Sequence, residues 1–184
     1  FTSQFLKSPL EPIALSNFFP WYRASAISSG APSLRISGPQ AQVDIKEASG
    51  DTRTYQMHIA SARQAPIMLI ELPQSAQVLG GSVNSEAIPN DDGGGKGLGA
   101  QENHPADQVW SLLFAAIPKE GFDLTLQVRH QGNLHVTLLD VTSGLPDLPG
   151  FSYKPRPDNL MLAPYMGISD TTIVRHSFEV GPKP

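Results

Sequence analysis

Cysteine is absent from the 184 residues of this chain. Its absence excludes disulfides, thiolate zinc sites and cysteine nucleophiles. A domain of this length does not need disulfides, so both a reducing cytoplasm and a bacterial envelope remain compatible with the composition.

Charged residues are also scarce. Charged residues make up 16% of the chain and the net charge is −4, which argues against a nucleic-acid partner or a polybasic membrane contact.

Long apolar runs are missing too. None approaches the roughly 20 residues that an α-helix needs to cross a bilayer, so we expect that this chain does not itself span a membrane. No basic-then-apolar signal pattern follows Phe1. A start without methionine favours a piece cut from a longer protein, and a processed protein would begin in the same way.

What the chain does contain is alternation. Apolar residues recur at every second position from Phe122 to Val128 and again from Leu134 to Leu138, separated by turn residues at 131–133. A period of two is typical of strands with one buried face, and the Gly-Asn in the turn supplies positive φ at low cost. We therefore predict that these two runs form one antiparallel hairpin.

Similar patterns recur along the chain. Tyr55, Met57 and Ile59 share one face of a strand that is joined to its predecessor around Gly50, whereas the apolar run Ile67–Ile70 predicts a strand covered on both sides. Together with the two strands of the predicted hairpin, the strand candidates are Ser33–Ser37, Ala41–Glu47, Thr54–Ala60, Ile67–Leu72, Ala76–Val83, Trp110–Ile117 and Thr171–Val180. About nine short strands with little helix predict an all-β, antiparallel two-sheet β-sandwich of jelly-roll type spanning residues 34–184, with a closed barrel as the nearest alternative.

Residues 1–33 have no clear period and are rich in prolines and aromatic residues, so we predict an irregular covering segment with at most one short helical turn near Ser16. The aromatic side chains pack on the sheet core in one interpretation. In the other they form a docking surface for another domain or a membrane interface. The candidate interaction residues of this segment are Phe18, Phe19, Trp21 and Tyr22.

The motifs that usually carry chemistry are not matched. The glycine-rich stretch 91–99 lacks the Gly-Lys-Ser/Thr of a phosphate-binding loop, because Gly97 follows Lys96, and we interpret it as a hairpin tip. The five histidines show no metal-binding spacing, so each is interpreted as solvated or hydrogen-bonded. No serine lies in a nucleophile elbow. We predict no catalytic residue, no metal site and no cofactor.

Several motifs in the C-terminal half of the chain resemble those of a known protein family. The chain reads Trp110-Ser-Leu-Leu-Phe114, Pro118-Lys-Glu-Gly-Phe122, Val141-Thr-Ser-Gly-Leu-Pro146, Arg156-Pro157 and Ser169-Asp-Thr-Thr-Ile-Val174. These runs resemble the C-terminal soluble domain of bacterial membrane-embedded peptidases of the M28 family, with weaker similarity around 61–63. That family carries a zinc aminopeptidase-like domain, then transmembrane helices, then a β-rich tail outside the cytoplasm.

The resemblance implies a non-catalytic, extracytoplasmic accessory domain on the periplasmic side, tethered through transmembrane helices that this chain lacks. Zinc is expected only in the absent peptidase domain, whose ligand motifs have no match here. The expected partners are the protein's own upstream domains, its membrane helices or its peptide substrate, with no nucleic acid. Arg156, held between Pro155 and Pro157, is a structural residue in one interpretation and a ligand contact in the other. The alternative function is a stand-alone glycan- or peptide-binding module, which predicts a contiguous patch of exposed aromatic side chains.

Overall fold

Strands dominate the computed structural model, which describes residues 11–18, 25–30, 35–88, 109–145, 157, 159 and 171–181. Eleven antiparallel strands lie in these ranges, against the nine or so predicted, and the all-β sandwich class is confirmed. They are β1 (Glu11–Ala14), β2 (Ser25–Ser28), β3 (Pro39–Ser49), β4 (Thr52–Ser61), β5 (Ile67–Pro73), β6 (Gln77–Val83), β7 (Glu86–Ala87), β8 (Val109–Ala115), β9 (Phe122–Arg129), β10 (Leu134–Ser143) and β11 (Thr171–Val180).

Two main sheets face each other. The five-stranded sheet has the order β3-β4-β9-β6-β7, and the four-stranded sheet has the order β11-β10-β5-β8. Their inner faces share one apolar core, built from Tyr55, Met57 and Ile59 of β4 together with residues of β5, β9 and β10. The predicted face of β4 is therefore confirmed, because all three side chains are fully buried.

The turn between β3 and β4 also follows the prediction. Gly50 adopts φ +61° between the two strands, a left-handed conformation that glycine reaches without strain. The register runs from Ser49 opposite Thr52 to Pro39 opposite Ser61, with one irregularity between Ile45 and Glu47.

The predicted hairpin of β9 and β10 is wrong. β9 pairs with β4 and β6, whereas β10 pairs with β5 and β11, so consecutive strands lie in different sheets. Residues 130–133 carry the chain across the end of the sandwich instead of turning it back in one sheet. The alternating pattern fits a hairpin in one sheet and a pair of strands in two facing sheets equally well. In both cases the apolar faces of β9 and β10 are buried in the same core.

Both faces of β5 are covered, as its continuous apolar run predicted. Met68, Ile70 and Leu72 enter the main core, whereas Leu69 faces the other way and is also fully buried. Leu69 belongs to a second apolar cluster with Leu139 and Val141, on the outer face of the four-stranded sheet, against which Phe18, Ile67 and Ile173 pack.

The N-terminal part differs from the prediction in detail. A 3-10 turn at Leu15–Asn17 confirms the short helical turn near Ser16. The pairing of β1 with β2 in a small antiparallel sheet was not predicted. The strand predicted for Ser33–Ser37 is wrong for its described part, because residues 35–37 are not in a strand.

Candidate functional site

A cleft opens at the end of the sandwich where β4 begins and β9 ends. Its volume is about 360 Å³, which is within the range of small-ligand sites. We call it the loop cleft. Its lining residues are Asp51, Pro73, Ser75, Ala76, Gln77, Arg129, His130, Gln131, Asn133 and Leu134. Three connections that cross or close this end of the fold supply them: the turn before β4, the β5–β6 loop and the β9–β10 crossing.

The floor and the rim of the loop cleft differ in chemistry. Ala76, His130 and Leu134 are buried and, with Pro73, form a mainly apolar floor. The rim is exposed and polar, with one carboxylate, one guanidinium, a serine hydroxyl and the side-chain amides of two glutamines and one asparagine. An apolar floor with a few convergent polar groups is the usual construction of a binding site.

His130 is anchored from below. The Tyr55 hydroxyl lies 2.5 Å from His130 Nε2, and burial raises the pKa of that phenol. Burial likewise lowers the pKa of His130, so the imidazole is neutral at pH 7 and Nε2 accepts the hydrogen bond from the hydroxyl. Arg53 Nη1 lies 3.4 Å from both Nε2 and the carbonyl oxygen of His130. These contacts fix the orientation of the imidazole ring in the floor of the loop cleft.

The opposite charges of the rim are only loosely paired. Arg129 Nε lies 3.7 Å from Asp51 Oδ1, and both side chains are about half exposed, at 50% and 53%. An exposed pair of this length contributes little to stability, roughly 0–1 kcal/mol. Both groups are therefore accessible to a ligand, one as a hydrogen-bond acceptor and the other as a donor.

At the opposite end of the sandwich, a buried polar network joins the two sheets. Asp140 on β10 is fully buried, and its two carboxylate oxygens lie 2.5 Å from Arg63 Nη2 and 2.6 Å from Ser61 Oγ. Arg63 Nη1 also donates to Thr142 Oγ1 at 3.0 Å. Ser61 ends β4 of the five-stranded sheet, so this network ties that sheet to the other. We assign it a structural role.

The sequence did contain a signal for this network. Asp140 continues the alternation of Leu134, Val136 and Leu138, which places a carboxylate on the buried face of β10. A buried ionised carboxylate is costly unless it is paired and hydrogen-bonded, so its position predicts a partner nearby. The partner is Arg63, on the loop that follows β4.

The predicted interaction residues are only partly described. Phe18 is half-buried and packs on the second apolar cluster, which agrees with the covering interpretation at that residue. The other four, and the glycine-rich stretch 91–99, lie outside the described residues; these four are Phe19, Trp21, Tyr22 and Arg156. Phe18, the one that is described, does not line the loop cleft. The sequence analysis missed the cleft because its residues come from three separate connections.

The histidines that the structure describes are scattered. His58 Nδ1 lies 2.8 Å from Asp123 Oδ1 and its Nε2 lies 2.9 Å from the Glu120 carbonyl oxygen, which agrees with the hydrogen-bonded interpretation. The bond to Asp123 is the main cause that raises the pKa of His58. Within the described ranges, no three potential ligands among His, Asp and Glu converge as a metal site would require. Over the same residues no helix is long and apolar enough to cross a membrane.

Comparison with known proteins adds no relative. No protein-family model matches the chain, and no match is found among curated proteins or solved structures.

Proposed function

We propose that this chain is the non-catalytic C-terminal accessory domain of a membrane-anchored M28-type metallopeptidase, on the extracytoplasmic side, and that its loop cleft recognises peptide. The accessory assignment is supported by the sequence resemblance at 110–122, 141–146 and 169–174. The observation that carries the recognition role is the loop cleft itself, with its apolar floor and its rim of accessible, oppositely charged groups.

The chemistry of the rim fits a peptide. Each peptide unit offers one N–H donor and one carbonyl acceptor, and side-chain amides such as those of Gln77 and Gln131 supply both complements. Asp51 can accept from an ammonium or amide group, and Arg129 can donate to a carbonyl or carboxylate. The floor at Ala76 and Leu134 accommodates one small apolar side chain.

The arrangement favours binding over proton transfer. A general base needs a free lone pair within reach of its substrate. The Nε2 lone pair of His130 already accepts the Tyr55 hydroxyl, and Nδ1 faces the Gln131 carbonyl oxygen at 3.4 Å. Zinc, in this proposal, belongs to the upstream peptidase domain.

The glycan-binding alternative stays a prediction, because four of the aromatic side chains that could form its patch, Trp21, Tyr22, Tyr153 and Tyr165, lie outside the described residues. Sugar rings stack on exposed aromatic faces, and that alternative predicted a patch of them. Tyr55, the ring beneath the loop cleft, is fully buried, and among the residues described the exposed large apolar side chains are Ile27, Leu79 and Leu113, none of them aromatic.

The test is binding of a random tetrapeptide pool and of defined peptides to the purified chain, followed by backbone amide NMR shifts. We expect shifts confined to residues 51, 74–77 and 129–134, which form or adjoin the lining of the loop cleft. Asp51→Asn and Arg129→Gln should each weaken binding by roughly threefold to tenfold, because each removes one charge-assisted, partly solvated hydrogen bond. Arg175→Gln, an exposed arginine on β11, is the matched control and should leave binding unchanged.

Two results would overturn the proposal. One is the absence of any peptide-induced shift at millimolar peptide, combined with a clear oligosaccharide response. The other is hydrolysis of aminoacyl substrates by the purified chain with added zinc, which would place catalysis in this domain.

A further inference from the structure

His130 joins two of the three connections that form the loop cleft. It follows the last residue of β9 and is buried in the floor of the cleft. Its backbone N–H donates to the carbonyl oxygen of Asp51, in the turn before β4, at 2.9 Å. Its ring nitrogen Nδ1 lies 3.4 Å from the carbonyl oxygen of Gln131, on the β9–β10 crossing. The position of this residue therefore affects both the floor and the rim.

The contacts of the imidazole ring determine which of its nitrogens carries a hydrogen. Arg53 has only N–H donors, and its Nη1 lies 3.4 Å from Nε2, so Nε2 presents a lone pair. The Tyr55 hydroxyl, 2.5 Å from the same nitrogen, donates to that lone pair. Nδ1 faces the carbonyl oxygen of Gln131, which can only accept, so Nδ1 carries the hydrogen. These contacts fit a neutral ring with one N–H and oppose an imidazolium, which carries an N–H on both nitrogens.

We propose that the loop cleft is acid-sensitive, because it keeps its shape only while His130 is neutral, and that protonation of this ring opens the cleft and releases bound peptide. The release of peptide rests on the proposed function. The opening of the cleft depends only on the contacts of His130, so it can be measured without a ligand.

Protonation adds a positive charge beside Arg53, which already carries one. The new N–H at Nε2 points at the guanidinium, which has no lone pair to accept it. The Tyr55 hydroxyl can rotate and accept the new hydrogen, but the repulsion between the two cations remains. Little water screens this repulsion, because His130 is only 6% exposed. Movement of the ring into water relieves the repulsion and displaces the floor of the cleft.

The other titratable and charged groups around the ring leave this repulsion in place. Asp51 favours the cation, but its side chain is 53% exposed and lies 3.7 Å from Arg129. Arg129 adds a second guanidinium to the lining, on the outward face of β9. Burial raises the pKa of Tyr55, so the phenol stays neutral in acid. The lining residues from the β5–β6 loop and from the start of β10 carry no charge.

The sign of the pH dependence follows from the direction of the pKa shift. Burial is the main cause that lowers the pKa of His130; Arg53 lowers it further, and the Gln131 carbonyl and Asp51 act in the opposite direction. The stabilisation is therefore complete above about pH 6.5 and is lost as the pH falls through the lower folded-state pKa. Below that pKa the neutral fraction decreases about tenfold per pH unit, and the affinity for a peptide that needs the neutral form decreases in proportion.

The ligand-free test is an NMR titration of the purified chain from about pH 8 to about pH 4. Ring nitrogen shifts of His130 should report a hydrogen on Nδ1 at the start of the titration. As His130 becomes protonated, amide shifts should change at residues 51, 74–77 and 130–133, which form or adjoin the lining. The hydrogen-exchange protection factors of these amides should decrease over the same transition, while those of β10 stay unchanged.

Four variants separate the charge effect from the fold. Arg53→Gln removes the opposing cation and should move the transition to higher pH, whereas Arg53→Lys keeps the charge and should move it less. His130→Gln keeps an acceptor for Tyr55 but does not titrate, so the acid response of the lining amides should disappear. His58→Gln is the matched control, because His58 is a hydrogen-bonded histidine at the opposite end of β4. It should leave the transition unchanged. If His130→Gln fails to fold, the wild-type titration and the two Arg53 variants decide the question.

Peptide binding measured at several pH values distinguishes this inference from the proposed function. A peptide that binds at about pH 7.5 should dissociate as His130 titrates, and His130→Gln should lose this dependence. A peptide affinity that stays constant while His130 titrates would contradict the inference and leave the proposed function standing. Absence of peptide binding at about pH 7.5, with a ligand-free cleft that opens in acid, would refute the proposed function and leave the acid opening in place.

Four results without ligand would overturn the inference. The first is a hydrogen on Nε2 at about pH 8. The second is a set of lining amides that do not respond when His130 titrates. The third is a transition that Arg53→Gln leaves where it was, and the fourth is unfolding of the whole chain before His130 becomes protonated.

Discussion

Replacing Asp140 by asparagine should be among the more destabilising isosteric changes in this chain. The carboxylate is fully buried and is held by Arg63, whose side chain is only 14% exposed. Asparagine keeps the size and can still accept from Arg63 and bond Ser61. The substitution therefore removes the negative charge and leaves the guanidinium buried without its counterion.

The magnitude follows from the burial. Removing one partner of a buried ion pair costs about 3–5 kcal/mol. The retained hydrogen bonds and the partial exposure of Arg63 place Asp140→Asn near the lower end, at about 3 kcal/mol. Asp44→Asn is the control, since Asp44 and Lys46 are 3.5 Å apart but 66% and 51% exposed. It should change the free energy of unfolding by less than about 0.5 kcal/mol.

Urea denaturation followed by circular dichroism at pH 7 measures both values. The double variant Arg63→Met/Asp140→Asn should be destabilised by clearly less than the sum of its single changes, because the second substitution removes the stranded charge. If Asp140→Asn costs under about 1 kcal/mol with an unchanged denaturant slope, the guanidinium is hydrated after the change and the reasoning fails.

Three further changes test other contacts. His58→Gln should lower stability at about pH 5.5 by up to roughly 1 kcal/mol and have little effect at about pH 9; the pKa of His58 is raised above 6.5, so its stabilisation is complete below 6.5 and lost as pH rises through the folded value. A pH-independent difference in thermal melts would contradict this. Gly121→Ala should cost more than about 2 kcal/mol in urea melts, because φ is +97° and the new methyl would collide with the Ile59 carbonyl oxygen; a neutral effect would show that this turn relaxes. Phe18→Ala should cost about 1–2 kcal/mol and speed hydrogen exchange in the cluster of Leu69, Leu139 and Val141, against which it packs. Unchanged exchange there would refute the covering role.

Part of the loop cleft could be predicted from the sequence. The turn residues at 131–133 and the glycine at 50 mark chain reversals at strand ends, and such ends of a sandwich often carry binding sites. What could not be seen is that the turn before β4, the β5–β6 loop and the β9–β10 crossing meet at the same end. No local pattern distinguishes His130 from the other histidines, because its partner Tyr55 lies 75 residues away in the sequence.

The local hydrophobic pattern by itself determined most strands of the two main sheets and the buried faces of β4 and β5. It placed Tyr55, Met57 and Ile59 in the core, marked both faces of β5 as buried, and gave the bounds of β11 at Thr171–Val180. Successive side chains of a strand point to opposite faces, so the residues of the strand itself show which face is buried.

The tertiary structure alone decided which strands are partners. β9 and β10 are adjacent in sequence yet lie in opposite sheets, and Arg63 meets Asp140 across 77 positions. Ladder hydrogen bonds are chemically the same for every strand, so the choice depends on how all the faces and charges of the chain are satisfied together. That condition is global, and no local pattern contains it.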